Sequence, residues 1–414
     1  MAHASKLVLV INCGSSSLKF AVIPAHGGKP VVSGLAECLG LSNARLVIKS
    51  AAINTSHSLD GGAHKAALAA ILHYLKTQDL LDQIAVVGHR VVHGGERFTE
   101  SVLLTPDVLD DIGAVSALAP LHNPANLQGI RACMQSLPMA PQVAVFDTAY
   151  HHTMPPAAFT YAIPQRLYRE QGVRRYGFHG TSHRYVARHA IKLLQLDPLD
   201  HGLVIAHLGN GGSATAVKNG VSVDTTMGMT PLEGLVMGTR SGDVDFGALS
   251  YIARTTGVGI EEIDDMLNQQ SGLLGISGLS SDCRTLEQAA TTGHAGAMLA
   301  LDVFVHRLVR HIGGLMGSLD RFDALVFTGG IGENSALIRA RTIERLGVFG
   351  LTLNPEANAL MIGGGAGRVS RSLRPSAVVI PTDEESLIAS DAAVLAGLLP
   401  SKSSPTQSPE LRVS

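Results

Sequence analysis

"VLVINCGSSSLKFAVI", residues 8–23, is the stretch that decides the fold. An apolar run ends at Asn12, small residues fill positions 13–17, and a second apolar run continues past Lys19. A plain β-hairpin needs only a two-residue turn such as Asn-Gly. The additional backbone donors, hydroxyl groups and cation therefore predict a strand–turn–strand unit that binds an anion. The backbone N–H groups of residues 14–17 would form the anion nest.

The same pattern recurs about half a chain later, in LVIAHLGNGGSATAV at residues 203–217. It again consists of an apolar run, a glycine-rich turn and a second run. We interpret the two stretches as the openings of two duplicated domains, each with a phosphate-facing hairpin. Two unrelated hairpins are the alternative.

Short apolar runs alternate with helical patterns along the chain. The runs lie at 7–12, 84–95, 142–148, 202–212, 324–334 and 377–385, and the helical patterns at 64–77, 124–137, 182–195, 244–256, 286–318, 335–346 and 384–398. This alternation predicts an α/β protein. The Val and Ile content of the runs predicts strands buried on both faces. Polar residues collect where the strands end, which is where open α/β sheets bind ligands.

The composition favours a cytoplasmic protein with no nucleic-acid or membrane partner. The chain has 414 residues, enough for two domains, and its net charge of −2 gives no electrostatic footprint for nucleic acid. No apolar run reaches the ~18 residues of a membrane-spanning helix. The four cysteines form no C-x-x-C pair, which is typical of reduced thiols in a cytoplasm. The Ser- and Pro-rich segment 400–414 is predicted to be disordered.

Glycine-rich turns are the candidates for phosphate binding. The sequence has no P-loop, no G-x-G-x-x-G dinucleotide fingerprint and no protein-kinase motif set. Three other turns end apolar runs, at 12–19, 207–212 and 329–334. The third leads into a helix, whose free N–H groups favour an anion. Three such turns in one chain indicate a phosphate or nucleotide site.

Cationic side chains in glycine-bounded loops indicate a pocket for several negative charges. They are Arg90, His93, His122, His179, His183 and Arg240. A lone histidine is more often a hydrogen-bonded structural residue than a ligand. An arginine in a glycine-rich loop has a weaker structural explanation, because glycine offers no side chain against which the guanidinium could pack. His179 and His183 have the i, i+4 spacing of a zinc pair. They lie in a predicted Gly-Thr-Ser loop without an H-E-x-x-H glutamate, so a metallohydrolase is disfavoured.

Acidic residues at Asp147, Asp282 and Glu384 are candidates for metal or catalytic chemistry. Thr382 and Glu385 fit a T-x-x-E capping box at the start of the last helix. That pattern makes Glu385 structural and leaves Glu384 free for a metal. Because few carboxylates converge, Mg²⁺ held largely through water and substrate phosphates is favoured over a closed protein cage.

Eight blocks of the sequence resemble the acetate kinase family, which includes propionate and butyrate kinases. They span about residues 6–398 and read NCGSSSLKF, GHRVVHGG, FDTAYHHTMP, YGFHGTSHRYV, HLGNGGSATAV, DTTMGMTPLEGLVMGTRSGDVD, FTGGIGENS and PTDEE. The resemblance implies two duplicated ribonuclease-H-like domains of the actin-like ATPase type, with the active site in the cleft between them. It implies an N-terminal domain at 1–149, a C-terminal nucleotide-binding domain at 150–384, a helix at 385–399 returning to the first domain, and a homodimer.

The resemblance also implies a reaction and residue roles. The reaction is reversible phosphoryl transfer from ATP to acetate, giving acetyl phosphate and ADP, with Mg²⁺ or with Mn²⁺ in its place. The implied catalytic residues are Asp147, His179 and Arg240, and the implied metal ligands are Asn12 and Glu384. The implied contacts to acetate or another short-chain carboxylate are Arg90, Val92, Leu121, His122, Phe178 and Pro231. The implied ATP contacts are Lys19, His207, Leu208, Gly209, Asn210, Gly211, Asp282, Cys283, Arg284, Gly330, Ile331, Gly332, Glu333 and Asn334.

Asp147 needs a role other than general base. Carboxylic acids are already ionised at neutral pH, so acetate needs no deprotonation. We therefore expect Asp147 to orient Arg90 or metal-bound water.

Three other classes of protein remain as alternatives. A chaperone-type or filament-forming ATPase gives no reason for Arg90, His179 and Arg240 to converge beside apolar residues. A sugar kinase would need a polar pocket, and a pure binding module would not turn over. Acetate and propionate are not distinguished, since one methylene is worth only ~1–3 kcal/mol.

Overall fold

The computed structural model describes residues 6–14, 16–50, 54–59, 62–120 and 122–400. The first sheet contains β1 (Leu7–Cys13), β2 (Leu18–Pro24), β3 (Val32–Glu37), β4 (Arg45–Ser50), β5 (Asn54–Ser58), β6 (Ile84–Val91), β7 (Val102–Leu103) and β8 (Gln142–Phe146). The second contains β9 (Gly202–Leu208), β10 (Gly212–Lys218), β11 (Val221–Thr225), β12 (Ala324–Thr328), β13 (Gly367–Arg368) and β14 (Ser376–Val379). The tail predicted to be disordered is 400–414, and all of it except Pro400 lies outside the described residues.

Each sheet is built around a hairpin that ends in a predicted turn. β1 pairs antiparallel with β2, and the last pair before the turn is Cys13–Leu18. β9 pairs antiparallel with β10, and the last pair is Leu208–Gly212. The two echoing stretches of sequence therefore form equivalent hairpins, as predicted.

The strand order extends the duplication beyond the hairpins. The first sheet has the order β5-β4-β3-β2-β1-β6-β8-β7, and the second has the order β11-β10-β9-β12-β14-β13. In both sheets an antiparallel third strand lies on one side of the hairpin and two parallel strands lie on the other. The α/β prediction is confirmed, and β8, β9 and β12 are buried along their whole length.

Helices cover both sheets. They are α1 (His64–Thr77), α2 (Pro106–Ala114), α3 (Asn123–Ser136), α4 (Pro156–Phe159), α5 (Arg166–Gln171), α6 (Gly180–Leu194), α7 (Phe246–Thr256), α8 (Ile260–Gln269), α9 (Gly272–Ser277), α10 (Cys283–Thr291), α11 (Ala295–Met316), α12 (Gly329–Asn334), α13 (Ala336–Arg345), α14 (Pro355–Leu360) and α15 (Glu384–Leu395). Within the described ranges, no helix is long and apolar enough to cross a bilayer.

The single helix predicted at 286–318 is wrong, because two helices occupy that stretch. Gly293 separates them with a φ of 84°, a left-handed conformation that ends α10. His294 then starts α11, since its Nδ1 accepts from the backbone N–H of Ala297 at 3.1 Å.

The last helix, α15, lies on the first sheet although it follows the second in the chain. Its residues Ile388, Ala389, Ala392 and Ala393 share a buried cluster with side chains of β1, β2, β6 and β8. Gly88 of β6 permits the close approach, since a Cβ there would lie 2.7 Å from Ile388 Cγ2. The start of α15 is thereby carried to the ends of β1 and β6. The domain boundaries at 149/150 and 384/385 remain predictions.

Candidate active site

The two hairpin turns face one cleft. A cavity of about 300 Å³ is lined by Val10, Asn12, Lys19, Arg90, His179, His207, Gly209, Asn210, Gly211, Thr382, Glu384, Glu385 and Ile388. An adjoining cavity of about 250 Å³ shares Gly209 and Asn210 and continues past the N-termini of α10 and α12. The turns at 207–212 and 329–334 therefore border this pair of cavities, which joins residues of both sheets. The turn at 12–19 borders it only through its end residues Asn12 and Lys19, because Gly14, Ser16 and Ser17 of the predicted anion nest line neither cavity.

Arg90, near the end of β6, is held by a buried carboxylate. Its Nε donates to Asp147 Oδ1 at 3.0 Å and its Nη2 donates to Oδ2. Asp147 is 1% exposed and also accepts from Thr181 Oγ1 at 3.1 Å. Arg90 Nη1 donates to Asn12 Oδ1 at 3.2 Å. Burial alone would lower the pKa of Arg90, but the charges of Asp147 and Glu384 outweigh it and raise that pKa. The guanidinium therefore stays charged and fixed in direction.

His179 occupies the turn just before α6, in a strained backbone conformation. Its φ of 55° is left-handed, which is uncommon outside glycine and occurs at functional sites. The flanking peptide groups hold it there. His151 Nε2 donates to the Phe178 carbonyl at 2.9 Å, and the Gly180 N–H donates to the Asp147 carbonyl at 2.9 Å. The predicted loop over 179–183 is wrong beyond His179, since α6 begins at Gly180.

The ring of His179 is neutral and faces the cleft. Its centroid lies 4.4 Å from that of His207 in a stacked arrangement. Burial, and then the neighbouring His207, lowers the pKa of His179 well below its ordinary value. Its Nδ1 lies 3.0 Å from Ser213 Oγ. Any proton that His179 offers to a ligand must therefore come from a neutral imidazole.

Arg240 has no carboxylate partner among the described residues. Its Nη1 donates to the Pro231 carbonyl at 3.3 Å, and burial lowers its pKa. Arg240 and His179 face the same space, since a Cβ on Gly211 would lie 3.5 Å from Arg240 Nη1 and 3.6 Å from His179 Nε2. A half-buried guanidinium paired only with a carbonyl has a large unused capacity for an anion.

The predicted capping box of α15 is wrong. Asp383 caps the helix instead, since its Oδ1 accepts from the Ser386 N–H at 2.9 Å. Aspartate is as good an N-cap as threonine, so two adjacent caps compete and the nearer one to the helix is used. Glu385 is thereby free to pair with Lys19 of the first hairpin. Lys19 therefore reaches the cleft with its charge partly neutralised.

Asn12 and Glu384, the predicted metal ligands, both line the cleft. Burial raises the pKa of Glu384 to about 7 despite the nearby Arg90, whose Nε lies 3.9 Å from Glu384 Oε2. Amide and carboxylate oxygens are the donors that Mg²⁺ and Mn²⁺ prefer. In the part of the chain that the structure describes, no three His, Cys, Asp or Glu side chains are grouped to hold a metal. The amide oxygen of Asn12 and the carboxylate of Glu384 therefore fit Mg²⁺ or Mn²⁺ by donor type.

The predicted ATP contacts divide into residues that line the cavities and residues behind them. Those lining the cavities are Lys19, His207, Gly209, Asn210, Gly211, Asp282, Cys283, Arg284, Gly330, Ile331 and Asn334. Leu208, Gly332 and Glu333 do not line them. Glu333 Oε1 accepts from the N–H groups of Gly329 at 2.9 Å and Thr382 at 3.1 Å. Glu333 thus joins a phosphate turn to the segment that leads into α15.

Three of the apolar residues predicted to contact the substrate are described by the structure. Val92 and Phe178 are 7% and 2% exposed and share a buried cluster with Met227 and Met237. Pro231 contributes its carbonyl to Arg240. Val92, Phe178 and Pro231 line neither of the two cavities, so their contact with a substrate remains a prediction.

Two further predicted contacts have different outcomes. Burial, followed by the charges of Arg240 and Arg90, lowers the pKa of His122, so its ring lies within electrostatic reach of both arginines. Leu121 lies outside the described residues.

His93, one of the cationic candidates, is a structural residue. It is fully buried, and its Nδ1 accepts a hydrogen bond from the Gly95 N–H at 3.0 Å.

Sequence reasoning missed two asparagines that position the site. Asn126 Oδ1 accepts from the Val92 N–H at 3.1 Å, and its Nδ2 donates to the Cys13 carbonyl at 2.6 Å. Asn123 bonds both the N–H and the carbonyl of His93. The sequence APLHNPAN, residues 119–126, could have indicated them. Two asparagines three residues apart at the start of a helix lie on the same face of it and can bind the same neighbouring segment.

A hydroxyl bridge was also missed. Ser182 is fully buried, and its Oγ lies 2.8 Å from His207 Nδ1 and 2.7 Å from Thr382 Oγ1. It connects α6, β9 and the segment before α15. A serine in the first turn of a helix carries no sequence signal of such distant partners.

A duplicated α/β fold whose cleft joins glycine-rich turns to two arginines defines an ATP-dependent phosphotransferase. The model of the acetokinase family matches residues 7–390. A propionate kinase of Yersinia enterocolitica is 55% identical over 93% of this chain and 94% of its own length. An acetate kinase of Deinococcus radiodurans is 53% identical over 94% and 98%. A crystal structure of a propionate kinase from Francisella tularensis superposes with a TM-score of 0.90 at 44% identity, over 94% of this chain and 100% of that one.

The chain therefore belongs to the acetokinase family. It is an ATP-dependent carboxylate kinase with the duplicated actin-like ATPase fold.

Proposed function

We propose that this protein is an acetate kinase, which transfers the γ-phosphoryl group of ATP reversibly to acetate and forms acetyl phosphate and ADP. One observation carries the proposal. Arg90 is neutralised by Asp147, whereas Arg240 has no carboxylate partner among the described residues and faces the same space as His179. Arg90 is thus fixed in direction and suits a singly charged carboxylate. Arg240 keeps its full charge for a more highly charged group, the phosphoryl group being transferred.

In the proposed reaction, a carboxylate oxygen of acetate attacks the γ-phosphorus in line with the leaving ADP. The new carboxylate O–P bond forms as the bond from the γ-phosphorus to the β,γ-bridging oxygen breaks, and no proton changes place. Both reactants are anions, so their repulsion is the main barrier. Arg90 binds the carboxylate, while Arg240 and His179 stabilise the charge that spreads over the equatorial oxygens.

Asp147 acts through Arg90 in this proposal. Its two oxygens take Nε and Nη2 of Arg90, which leaves Nη1 as the guanidinium nitrogen not bonded to that carboxylate. Asp147 therefore fixes the plane of the guanidinium, and no acid–base step is assigned to it.

Asn12 and Glu384 would hold the metal that accompanies ATP, Mg²⁺ or Mn²⁺ in its place. When bound, this cation supplies positive charge to the phosphate oxygens. The chain itself places the Asn12 amide near the end of β1 and the Glu384 carboxylate at the first residue of α15. Both side chains thus lie next to the turns proposed to receive the nucleotide. The residues facing the second cavity, from Asp282 to Arg284 and from Gly330 to Asn334, would receive the rest of ATP.

Acetate is proposed because a relative that is 53% identical is named acetate kinase and because the sequence blocks resemble that family. The relatives named propionate kinase make propionate the second candidate. The test is an assay with Mg·ATP and acetate, propionate, butyrate or glycerol, with hydroxylamine to trap acyl phosphate as hydroxamate. Most hydroxamate from acetate supports the proposal, and most from propionate makes the protein a propionate kinase. ADP without hydroxamate would refute an acyl kinase altogether.

We further propose a cytoplasmic homodimer. The segment from α7 to the start of α8 exposes Phe246, Tyr251 and Ile260 by 73%, 62% and 73%. Several large apolar side chains exposed within one short segment make that segment a candidate for association with a second copy. Light scattering of the protein and of Tyr251→Asp tests this, with a dimeric mass expected for the first and a monomeric mass for the second. The free cysteines support the location.

A further inference from the structure

A buried serine lies between two histidines at the edge of the cleft. Ser213 Oγ is 3.0 Å from Nδ1 of His179 and 2.8 Å from Nε2 of His183. Both Ser213 and His183 are fully buried. His183 Nδ1 is also buried, and within the described residues it has no hydrogen-bond partner. These three side chains, which we call the His183–Ser213–His179 relay, leave few choices for where their protons lie.

The serine has one hydroxyl proton, so it can donate to only one of the two rings. In the first arrangement His183 carries its proton on Nε2 and donates to Ser213, and Ser213 donates to Nδ1 of His179. In the second, Ser213 donates to His183, and Nδ1 of His179 donates to Ser213. The second arrangement puts the proton of His183 on Nδ1, as a buried N–H without a partner.

Donation by both rings would leave the buried hydroxyl proton of Ser213 without an acceptor, since its hydrogen-bond partners among the described residues are these two rings. The first arrangement is favoured because orphaned buried donors are rarer than under-used acceptors. It leaves only an unused lone pair on His183 Nδ1. Since Ser213 then donates to Nδ1 of His179, a neutral His179 must carry its proton on Nε2. Burial lowers the pKa values of both His179 and His183 well below the ordinary value, so both rings are neutral and only the tautomer is variable.

The tautomer of His179 decides whether its Nε2 attracts or repels the phosphoryl group being transferred. Its Nε2 faces the space beside Gly211 that it shares with Arg240. A proton on Nε2 makes His179 a hydrogen-bond donor toward the transferring phosphoryl group. The other tautomer would direct a lone pair at the same anionic oxygens and repel them.

We propose that His183 and Ser213 are positioning residues whose hydrogen-bond relay sets the tautomer of His179, so that its Nε2–H points into the cleft and donates to the phosphoryl group. The proposal deepens the proposed function and rests on it for the role of His179. The tautomer itself can be measured without any substrate.

The first test is nuclear magnetic resonance of protein labelled with ¹⁵N-histidine. The resonances of His179 are identified by their absence from His179→Gln. We expect a protonated, pyrrole-type Nε2 and an unprotonated, pyridine-type Nδ1. A pyrrole-type Nδ1 on His179 would overturn the proposal. So would His179 resonances that are the same in Ser213→Ala as in the unmodified protein.

The second test is kinetic and compares variants of the relay. His183→Leu and Ser213→Ala should lower kcat by about tenfold or more, and by no more than the 10²–10³ that complete removal of a preorganised donor costs. KM values should change by less than about threefold, since the donor acts in the transition state. His183→Gln should restore much of kcat, because its terminal amide can donate to Ser213 from the place of Nε2. Equal losses in His183→Gln and His183→Leu would refute the relay.

His201→Leu is the matched control for a buried histidine. His201 is 1% exposed, its Nε2 also lacks a partner in the part of the chain that is described, and it lies outside the cleft. We expect His201→Leu to lower thermal stability with an unchanged kcat, and a similar fall in kcat there would make the relay effect non-specific. Failure of the unmodified enzyme to form any acyl hydroxamate would refute the proposed function instead, whereas the His179 resonances test the relay in either case.

Discussion

Replacing Asp147 with asparagine tests the orienting role assigned to it. Asp147→Asn keeps the shape of the side chain but removes a charge and converts one acceptor for Arg90 into a donor. Arg90 then loses one of its two hydrogen bonds to residue 147, and a half-buried guanidinium loses its nearest counter-charge. Breaking a hydrogen-bonded charge pair by changing one partner costs about 2–5 kcal/mol. At 1.4 kcal/mol per factor of ten, kcat/KM should fall roughly 30- to 4,000-fold.

The assay is hydroxamate formation from Mg·ATP and acetate, measured from pH 6 to pH 9. Because no proton is transferred, the deficit should be similar at every pH. Recovery of activity on raising the pH would refute the orienting role and indicate a base. The matched control is Asp323→Asn, since Asp323 is 3% exposed and takes Nε and Nη2 of Arg321 at 2.8 and 2.7 Å. Its loss should lower stability and leave kcat unchanged.

Three further results are expected. Arg240→Ala should lower kcat by about 10³–10⁵, as loss of an arginine finger does, with a much smaller change in KM, and steady-state kinetics would contradict this if only KM rose. Thermal unfolding should show stability falling as the pH drops from 6.5 toward 4, because His89, His151 and His207 have pKa values lowered to about 4 by burial and the unfolded chain binds more protons in that window. Each contributes about 2 kcal/mol by pH 5, and equal stability at pH 7 and pH 5 would contradict the assignment. Glu333→Ala should weaken ATP binding while leaving KM for acetate nearly unchanged, because the N–H groups of Gly329 and Thr382 lose the oxygen to which both donate. Equilibrium nucleotide titration checks the first result and steady-state kinetics the second.

The hairpins and the ends of the strands could be predicted because their signals are local. An apolar run, a turn too rich in small residues and a second run specify β1 and β2 without knowledge of any distant contact. The turn at 207–212 repeats the pattern, and the residues of both turns do meet in one cleft. Their roles in binding and catalysis remain predictions.

The predictions that failed concern features that the local sequence does not determine. Thr382 and Asp383 are adjacent and equally able to cap α15, so the pattern could not decide which one does. The apolar periodicity continues across Gly293, which hid the break between α10 and α11. Ser213 lies 30 and 34 residues from its two histidine partners, and only the pairing of β10 against β9 brings it beneath α6.

The position of α15 has a consequence for how the protein is made. The face of the first sheet formed by Val8, Val10 and Val86 is covered by a helix that begins at Glu384. At a synthesis rate of about 5–20 residues per second, roughly 20–75 s separate the translation of β1 from that of its cover. During that interval the nascent N-terminal half displays an apolar sheet face, so it depends on chaperones or on temporary partners. The N-terminal half is translated first, but its sheet is covered only when α15 is made at the end of synthesis. The ribosome-bound chain is therefore more exposed to aggregation than the released enzyme.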